Sequence, residues 1–344
     1  MESPVLYLIM GGCAAAITAG CIPLLRRILP KFLLDAPGGL KKHTHATPLL
    51  GGCAIFLGVI SSLVLLRFIT NFPTGTLHSL RGILGAGTLI FILGLADDLR
   101  KPKGLPVSAR LFVQATAAVL LIYYGVYIQI FSIPWLNYAV TFGWLVGLTN
   151  AFNLLDIMDG LCVSQAFWCA TGLLLIALPG ECWYVNFAAV ALLSACLSFW
   201  PYNHCKNKIF LGDSGATFLG FMIAALSMGT QYSQQNPYGY VAALFIVAVP
   251  ILDTTFVTLA RLLQGKNPLK GSPDHLALRL KNKWPISNRL IVLLFCLAAC
   301  ASNLLAYFAT QCTPIHTQAL GVLSLFGGGL LILWLLQKLN TSAH

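Results

Sequence analysis

Apolar residues run along this chain in blocks of roughly twenty, with polar residues gathered in the gaps between them. As helices, such blocks are long enough to cross a hydrocarbon core of about 30 Å. They fall near 5–25, 49–69, 80–96, 107–125, 134–152, 161–179, 183–200, 214–230, 239–262, 288–309 and 318–337. The pattern predicts an all-α, polytopic integral membrane protein of about eleven transmembrane helices. No internal repeat or low-complexity linker interrupts it, so residues 1–344 read as a single transmembrane domain.

Composition agrees with the pattern. The chain is 58% hydrophobic and 9% charged, whereas a soluble domain carries about a quarter charged residues. The only early charge is Glu2, and Arg26 and Arg27 follow the first apolar block, so that block reads as a retained span and not as a signal peptide. None of the eleven cysteines forms a CxxC pair, and most sit inside apolar blocks, where they behave as small hydrophobes.

Charge then orients the chain. Every Lys and Arg except Arg67 and Arg81 falls in the polar gaps of one face, at helix ends beside them, or at Lys338. By the positive-inside rule that face is cytoplasmic, with the N-terminus outside and the C-terminus inside. The net charge of +11 is therefore mainly topology and does not imply a nucleic-acid partner. The acids Asp35, Asp97, Asp98, Asp156, Asp159, Asp213 and Asp274 lie on the same face, which orientation does not require. The loops 26–48, 97–106, 153–160, 201–213 and 263–287 thus bring both signs of charge together.

Several stretches in these loops carry candidate chemistry. Residues 149–161 read TNAFNLLDIMDGL, with Asn150, Asn153, Asp156 and Asp159 at three-residue spacing. On a helix this makes an oxygen-rich stripe, which needs a cationic or hydrogen-bonding partner. Asp97 and Asp98 adjoin Arg100, Lys101 and Lys103: either a helix end paired with basic residues, or carboxylates for a hydrated Mg²⁺. Lys41, Lys42 and His43 form either a topological basic loop or a phosphate clamp. Asp213 opens a helix, where backbone N–H groups and the helix dipole favour an anion and the side chain reads as an N-cap, and Phe210 is either core or a stacking platform. Asp253 lies within an apolar block and is either a functional intramembrane acid or only a partner for Arg261 near the boundary, and His275 is a candidate ligand or acid/base. Together these groups suit metal-assisted phosphoryl transfer on a substrate reached from the cytoplasm. An ion-coupled transporter is the different-class alternative, but its acids would lie near the bilayer midplane.

Five blocks, in order, carry a resemblance: DAPGGLKKH…PLLGG, GLADDLRKP, NAFNLLDIMDGL, FLGDSGATFLGF and PDHLALRL. They resemble the polyprenyl-phosphate N-acetylhexosamine-1-phosphate transferases, glycosyltransferase family 4. The resemblance implies a catalytic membrane domain that moves a sugar 1-phosphate from a UDP-N-acetylhexosamine to undecaprenyl phosphate, releasing UMP. It implies Mg²⁺, with Mn²⁺ as a substitute, held by Asp213 and Asn153. Asp97 and Asp98 match the paired catalytic acids, and Asp156 and Asp159 the acidic pair near the nucleotide. Phe210 matches a uracil-stacking aromatic, with Asn150 and His275 toward nucleotide and sugar. Lys41, Lys42, His43, Lys101 and Lys103 would hold phosphates. The location implied is the bacterial inner membrane, with the active site facing the cytoplasm; homodimers are common in such families.

Two branches of the family differ in donor. One takes UDP-MurNAc-pentapeptide for peptidoglycan; the other takes UDP-GlcNAc or a related sugar to begin O-antigen, teichoic acid or similar glycans. The NAFN block and the eleventh helix favour the second. The peptidoglycan branch carries a three-histidine run where this chain has only His275.

Overall fold

A computed structural model describes residues 4–28, 33–35, 47–69, 75–180, 183–204, 208–232, 236–267, 274–284 and 286–340. The protein is an all-α polytopic membrane protein, and each apolar block of the sequence coincides with helix. Seven helices among the described residues are long and apolar enough to cross a membrane. The chain divides into two compact units, Met1–Thr230 and Gln231–His344.

The first unit contains α1 (Pro4–Ile28), α2 (Gly51–Ile69), α3 (Thr76–Leu99), α4 (Val107–Tyr123), α5 (Pro134–Leu155), α6 (Leu161–Ala177), α7 (Trp183–His204) and α8 (Gly212–Gly229). Its centre is α8, buried on all sides from Ser214 to Ser227 and packed by α3, α5, α2 and α6. A helix apolar all round belongs inside a bundle. Phe56, Phe91 and Phe218 fill the space where α2, α3 and α8 meet, the first two stacked at 3.9 Å. Near the polar end of α8 the backbones come closer still. A Cβ on Gly94 of α3 would lie 2.5 Å from Ser214 Cα, so only glycine permits this approach.

One feature falls outside the helical pattern. A two-residue antiparallel ladder joins β1 (Leu34–Asp35) to β2 (Thr47–Pro48), with Leu34 opposite Pro48. Pro48 O then accepts the Phe210 N–H at 2.9 Å, and Phe210 O accepts the Gly51 N–H at 3.0 Å. This ties the segment before α8 to the start of α2.

The second unit contains α9 (Val241–Ile246), α10 (Ala248–Leu263), α11 (Leu276–Lys283), α12 (Asn288–Gln311) and α13 (Pro314–Asn340). Its core gathers Phe256, Val257 and Ala260 of α10 with Ile332 and Leu336 of α13, and Leu276 and Leu280 of α11 pack against them. The block expected as one helix over 239–262 is two, broken at Val247. Pro250 is the physical reason: it has no N–H to offer the Ile246 carbonyl, and its ring crowds that oxygen.

Candidate active site

The two adjacent acids at the end of α3 face different ways. Asp97 turns toward α4, where Arg110 Nη2 donates to its Oδ2 at 2.7 Å and the Leu105 N–H donates to its Oδ1. Asp98 turns toward α8. Its Oδ1 accepts the Asp213 N–H and its Oδ2 the Ser214 N–H, both at 2.9 Å. A carboxylate on α3 thus satisfies the first amides of α8, which the side chain at the start of that helix does not do. Gly212 makes room for it: φ is +78°, and a Cβ there would meet Asp98 Oδ2 at 2.7 Å. Both acids are only 3% exposed. Of the two sequence readings for Asp213, a cap or a ligand, the cap role belongs to Asp98.

That leaves the Asp213 carboxylate pointing into a cleft. Asp97, Arg110, Asn153, Asp213 and Thr217 line it together with Gln114 and Asn150. The Asp97 and Asp213 carboxyls lie within hydrogen-bonding reach of each other. Lys101 Nζ bridges Asp98 Oδ1 at 2.8 Å and Asp213 Oδ1 at 3.2 Å. Burial alone would lower the lysine's pKa, but the negative charges of Asp213 and Asp98 outweigh it and raise the pKa above its ordinary value. Lys103 is exposed on the same turn.

The stripe read from 149–161 is split by the structure. Asn150 Nδ2 donates to Gln114 Oε1 at 3.1 Å and to Val146 O at 2.7 Å, so it braces α5 against α4 at the cleft wall. The Asn153 carboxamide lines the cleft. Asp156 follows the last turn of α5. Burial pushes its carboxyl up to about 7; Lys101 pulls against this, while Asp213, Asp98 and Asp159 push further. Asp159 accepts from Lys208 Nζ at 2.8 Å, and the same ammonium lies 4.9 Å from the centre of the Phe210 ring. Asn203 closes this corner, accepting the Gly160 N–H and donating to Ile209 O at 2.8 Å. Asp159 and Phe210 therefore meet through Lys208 at one corner of the first unit, and the Asp156 carboxyl feels the charges of both that corner and the cleft.

In the second unit, Asp253 does not take the Arg261 pairing that was one of its two sequence readings. His275 Nδ1 lies 2.9 Å from Asp253 Oδ2, and the Leu276 N–H donates to Oδ1 at 2.9 Å. Asp253 is 1% exposed and His275 2%. Arg261 Nη1 lies instead 3.7 Å from Asp274, which also accepts from Arg279 at 2.8 Å. Arg261 is two turns along α10 from Asp253, about 12 Å of rise, whereas α11 folds back onto Asp253. Lys41, Lys42 and His43 lie outside the described residues.

Sequence reasoning passed over Arg110, Gln114, Asn203, Lys208 and Thr217 as site residues. Arg110 and Gln114 carried a usable signal: two polar residues one helical turn apart in an otherwise apolar helix. The assembled cleft brings Asp97, Asp98, Asp156 and Asp213 together with Lys101 and Arg110, at the polar ends of a membrane-helix bundle. It is an oxygen-rich site with more carboxylates than cations.

Comparison with known proteins gives the class. The glycosyl transferase family 4 model matches residues 80–231. The chain is 31% identical over 283 residues to the probable undecaprenyl-phosphate N-acetylglucosaminyl 1-phosphate transferase of Bacillus subtilis, covering 79% of this chain and 76% of that protein. It is 28% identical over 320 residues to the decaprenyl-phosphate N-acetylglucosaminephosphotransferase of Mycolicibacterium smegmatis, covering 83% and 78%. The undecaprenyl-phosphate alpha-N-acetylglucosaminyl 1-phosphate transferase of Escherichia coli K12 is 27% identical over 277 residues, covering 73% and 70%. The chain belongs to glycosyl transferase family 4, in the branch of these relatives, and is an enzyme of the glycosyl-1-phosphate transferase type.

Proposed function

We propose that the enzyme transfers N-acetylglucosamine 1-phosphate from UDP-GlcNAc to undecaprenyl phosphate, releasing UMP and forming the first lipid-linked intermediate of a cell-envelope glycan. The names of its relatives support the sugar and the acceptor class. The observation that carries the chemistry is the cleft itself, where Asp97, Arg110, Asn153 and Asp213 line one space.

The donor set fits Mg²⁺. Asp213 and Asn153 present hard oxygens, and the Asp97 and Asp213 carboxyls, close enough to repel, favour a cation between them. Among the described residues no group of three or more His, Cys, Asp or Glu is placed to hold a metal ion by itself. Mg²⁺ suits such a site because it keeps several waters and uses one or two carboxylates plus substrate phosphates. Bound by Asp213 and Asn153, it supplies neutralising charge for the diphosphate of the donor.

The chain's own residues then divide the work. Arg110 fixes the Asp97 carboxylate, which orients the acceptor phosphate and keeps it deprotonated. An oxygen of that phosphate attacks the sugar-bearing phosphorus, the bond to the UMP oxygen breaks, and UMP leaves with the electron pair. Lys101 and Lys103 offer positive charge to the phosphates, as Lys41, Lys42 and His43 do from the first loop. Lys208 and Phe210, with Asp156 and Asp159, form the nucleotide corner. Asn150 braces the cleft wall.

The positive-inside distribution supports eleven spans with the N-terminus outside and the cleft facing the cytoplasm of a bacterial inner membrane. An acceptor with a lipid tail and a soluble nucleotide would meet at that interface. The test is a transfer assay with purified protein, Mg²⁺, undecaprenyl phosphate and, in parallel, radiolabelled UDP-GlcNAc, UDP-GalNAc and UDP-MurNAc-pentapeptide. Labelled lipid and UMP from UDP-GlcNAc, lost in Asp97→Asn and Asp213→Asn, are expected. Product only from the pentapeptide donor would overturn the sugar; product from none would overturn the reaction.

A further inference from the structure

Lys101 occupies an unusual place for a phosphate-binding lysine. Its ammonium sits between two carboxylates of the cleft, 2.8 Å from Asp98 and 3.2 Å from Asp213. The two acids are not equivalent. Asp98 already accepts two backbone N–H groups of α8 and stays where it is. Asp213 has a side chain 24% exposed, and its carboxylate meets Lys101 and the neighbouring Asp97 carboxyl, with the Arg110 charge close by.

A divalent cation on Asp213 needs an oxygen at about 2.1 Å in near-octahedral geometry. An ammonium at 3.2 Å on the same carboxylate would then lie within a few ångströms of that ion. Two cations that close, in a partly buried site, repel strongly. Lys101 has the means to leave: it sits on the turn after α3, its side chain is 24% exposed, and its four-carbon stem is flexible. Asp98 can keep hold of the ammonium while Asp213 lets it go.

We propose that Lys101 is a tethered counter-ion for the metal site, covering Asp213 until a divalent cation displaces it and frees its ammonium for a substrate phosphate. This rests on the reading of Asp213 as a metal ligand. Lysine and metal are then competitors for one oxygen, and the coupling between them is reciprocal. Removing the lysine's charge strengthens metal binding even as it weakens catalysis. A lysine that only props the helix end, or only binds phosphate, would not behave so.

The test measures binding without turnover. Mn²⁺ is titrated into detergent-purified wild type, Lys101→Gln, Lys101→Arg and Asp213→Asn, and free ion is read from its electron paramagnetic resonance signal. Lys101→Gln is expected to bind Mn²⁺ about tenfold tighter than wild type, within the usual span of coupling between two sites. Lys101→Arg, which keeps the charge, should stay near wild type. A second readout needs no variant: mass spectrometry of wild-type protein treated with an amine-acylating reagent, where saturating Mg²⁺ should increase labelling at Lys101. Mn²⁺ affinity unchanged or weakened in Lys101→Gln, or labelling that Mg²⁺ leaves unchanged or slows, overturns the proposal alone. Wild-type binding that Asp213→Asn does not weaken, or no binding in any of the four proteins, overturns the assignment of Asp213 as well.

Discussion

Asp98→Ala is expected to damage the structure before it touches any chemistry. One carboxylate holds the Asp213 and Ser214 amides at 2.9 Å each and Lys101 at 2.8 Å. Hydrogen bonds to a charged group contribute roughly 1.5–3 kcal/mol each. The attraction between a carboxylate and a helix N-terminus, up to about 2 kcal/mol in partly buried geometry, overlaps with them. Truncation leaves two buried N–H groups and one ammonium without this partner, so the total loss is about 3–5 kcal/mol, in line with breaking a buried pair from one side. The assay is thermal loss of monodisperse elution for detergent-solubilised protein, paired with hydrogen exchange over 212–217. The variant should melt well below wild type, and the first amides of α8 should lose protection. An Asp98→Ala protein with wild-type melting and protection but no transfer would refute the reasoning and make Asp98 an acid that acts on substrate.

Three further expectations follow from the geometry. Gly212→Ala should lower the melting point too, since φ of +78° costs an L-residue about 1–2 kcal/mol and its Cβ would crowd Asp98; an unchanged melt would contradict this. Asp156 sits at about 7 against its ordinary 3.8, so between those values the folded protein holds a proton that the unfolded chain has released. Stability should therefore fall as pH rises through that window and level off above it, and Asp156→Asn should flatten the dependence, measured by melting in metal-free buffer between about pH 5 and pH 8. An equal slope in both proteins would remove Asp156 as the cause. Asp253→Leu should cost about 3 kcal/mol and speed hydrogen exchange across 276–283, because His275 and the first amide of α11 lose their shared partner; unaltered exchange there would show that α11 does not depend on it.

The helices were legible because hydrophobic length is a local property: each apolar block became helix. Pro250 was equally visible, yet the break it causes at Val247 was hidden by the continuous hydrophobicity of 239–262. The site was legible in its membership more than in its wiring. Asp97, Asp98, Asn153 and Asp213 do converge, but nothing in an adjacent Asp-Asp pair says that one member faces α4 and the other α8. That choice is made by the packing of α3 against α8 at Gly94. The Asp253 partner is hidden from the sequence for the same reason, because Arg261 on the same helix competes poorly with a helix that folds back. Arg110 and Gln114 were readable from their one-turn spacing, whereas Lys208 and Asn203 become meaningful only when the turn after α5 meets the segment before α8.

Asp98 lies 115 positions ahead of the amide that it receives. The chain enters the membrane from its N-terminal end, so α3 is already in place, carboxylate and lysine together, when α8 emerges. The centre of the first unit is thus met by an acceptor that precedes it in the chain, with Lys101 already beside that acid in sequence. Asp253 and α11 repeat the arrangement on a shorter span, receptor first and helix second. In both, the acceptor is synthesised before the helix it caps, and a permuted chain that delivered α8 before α3 would present the first amides of α8 without the carboxylate that satisfies them.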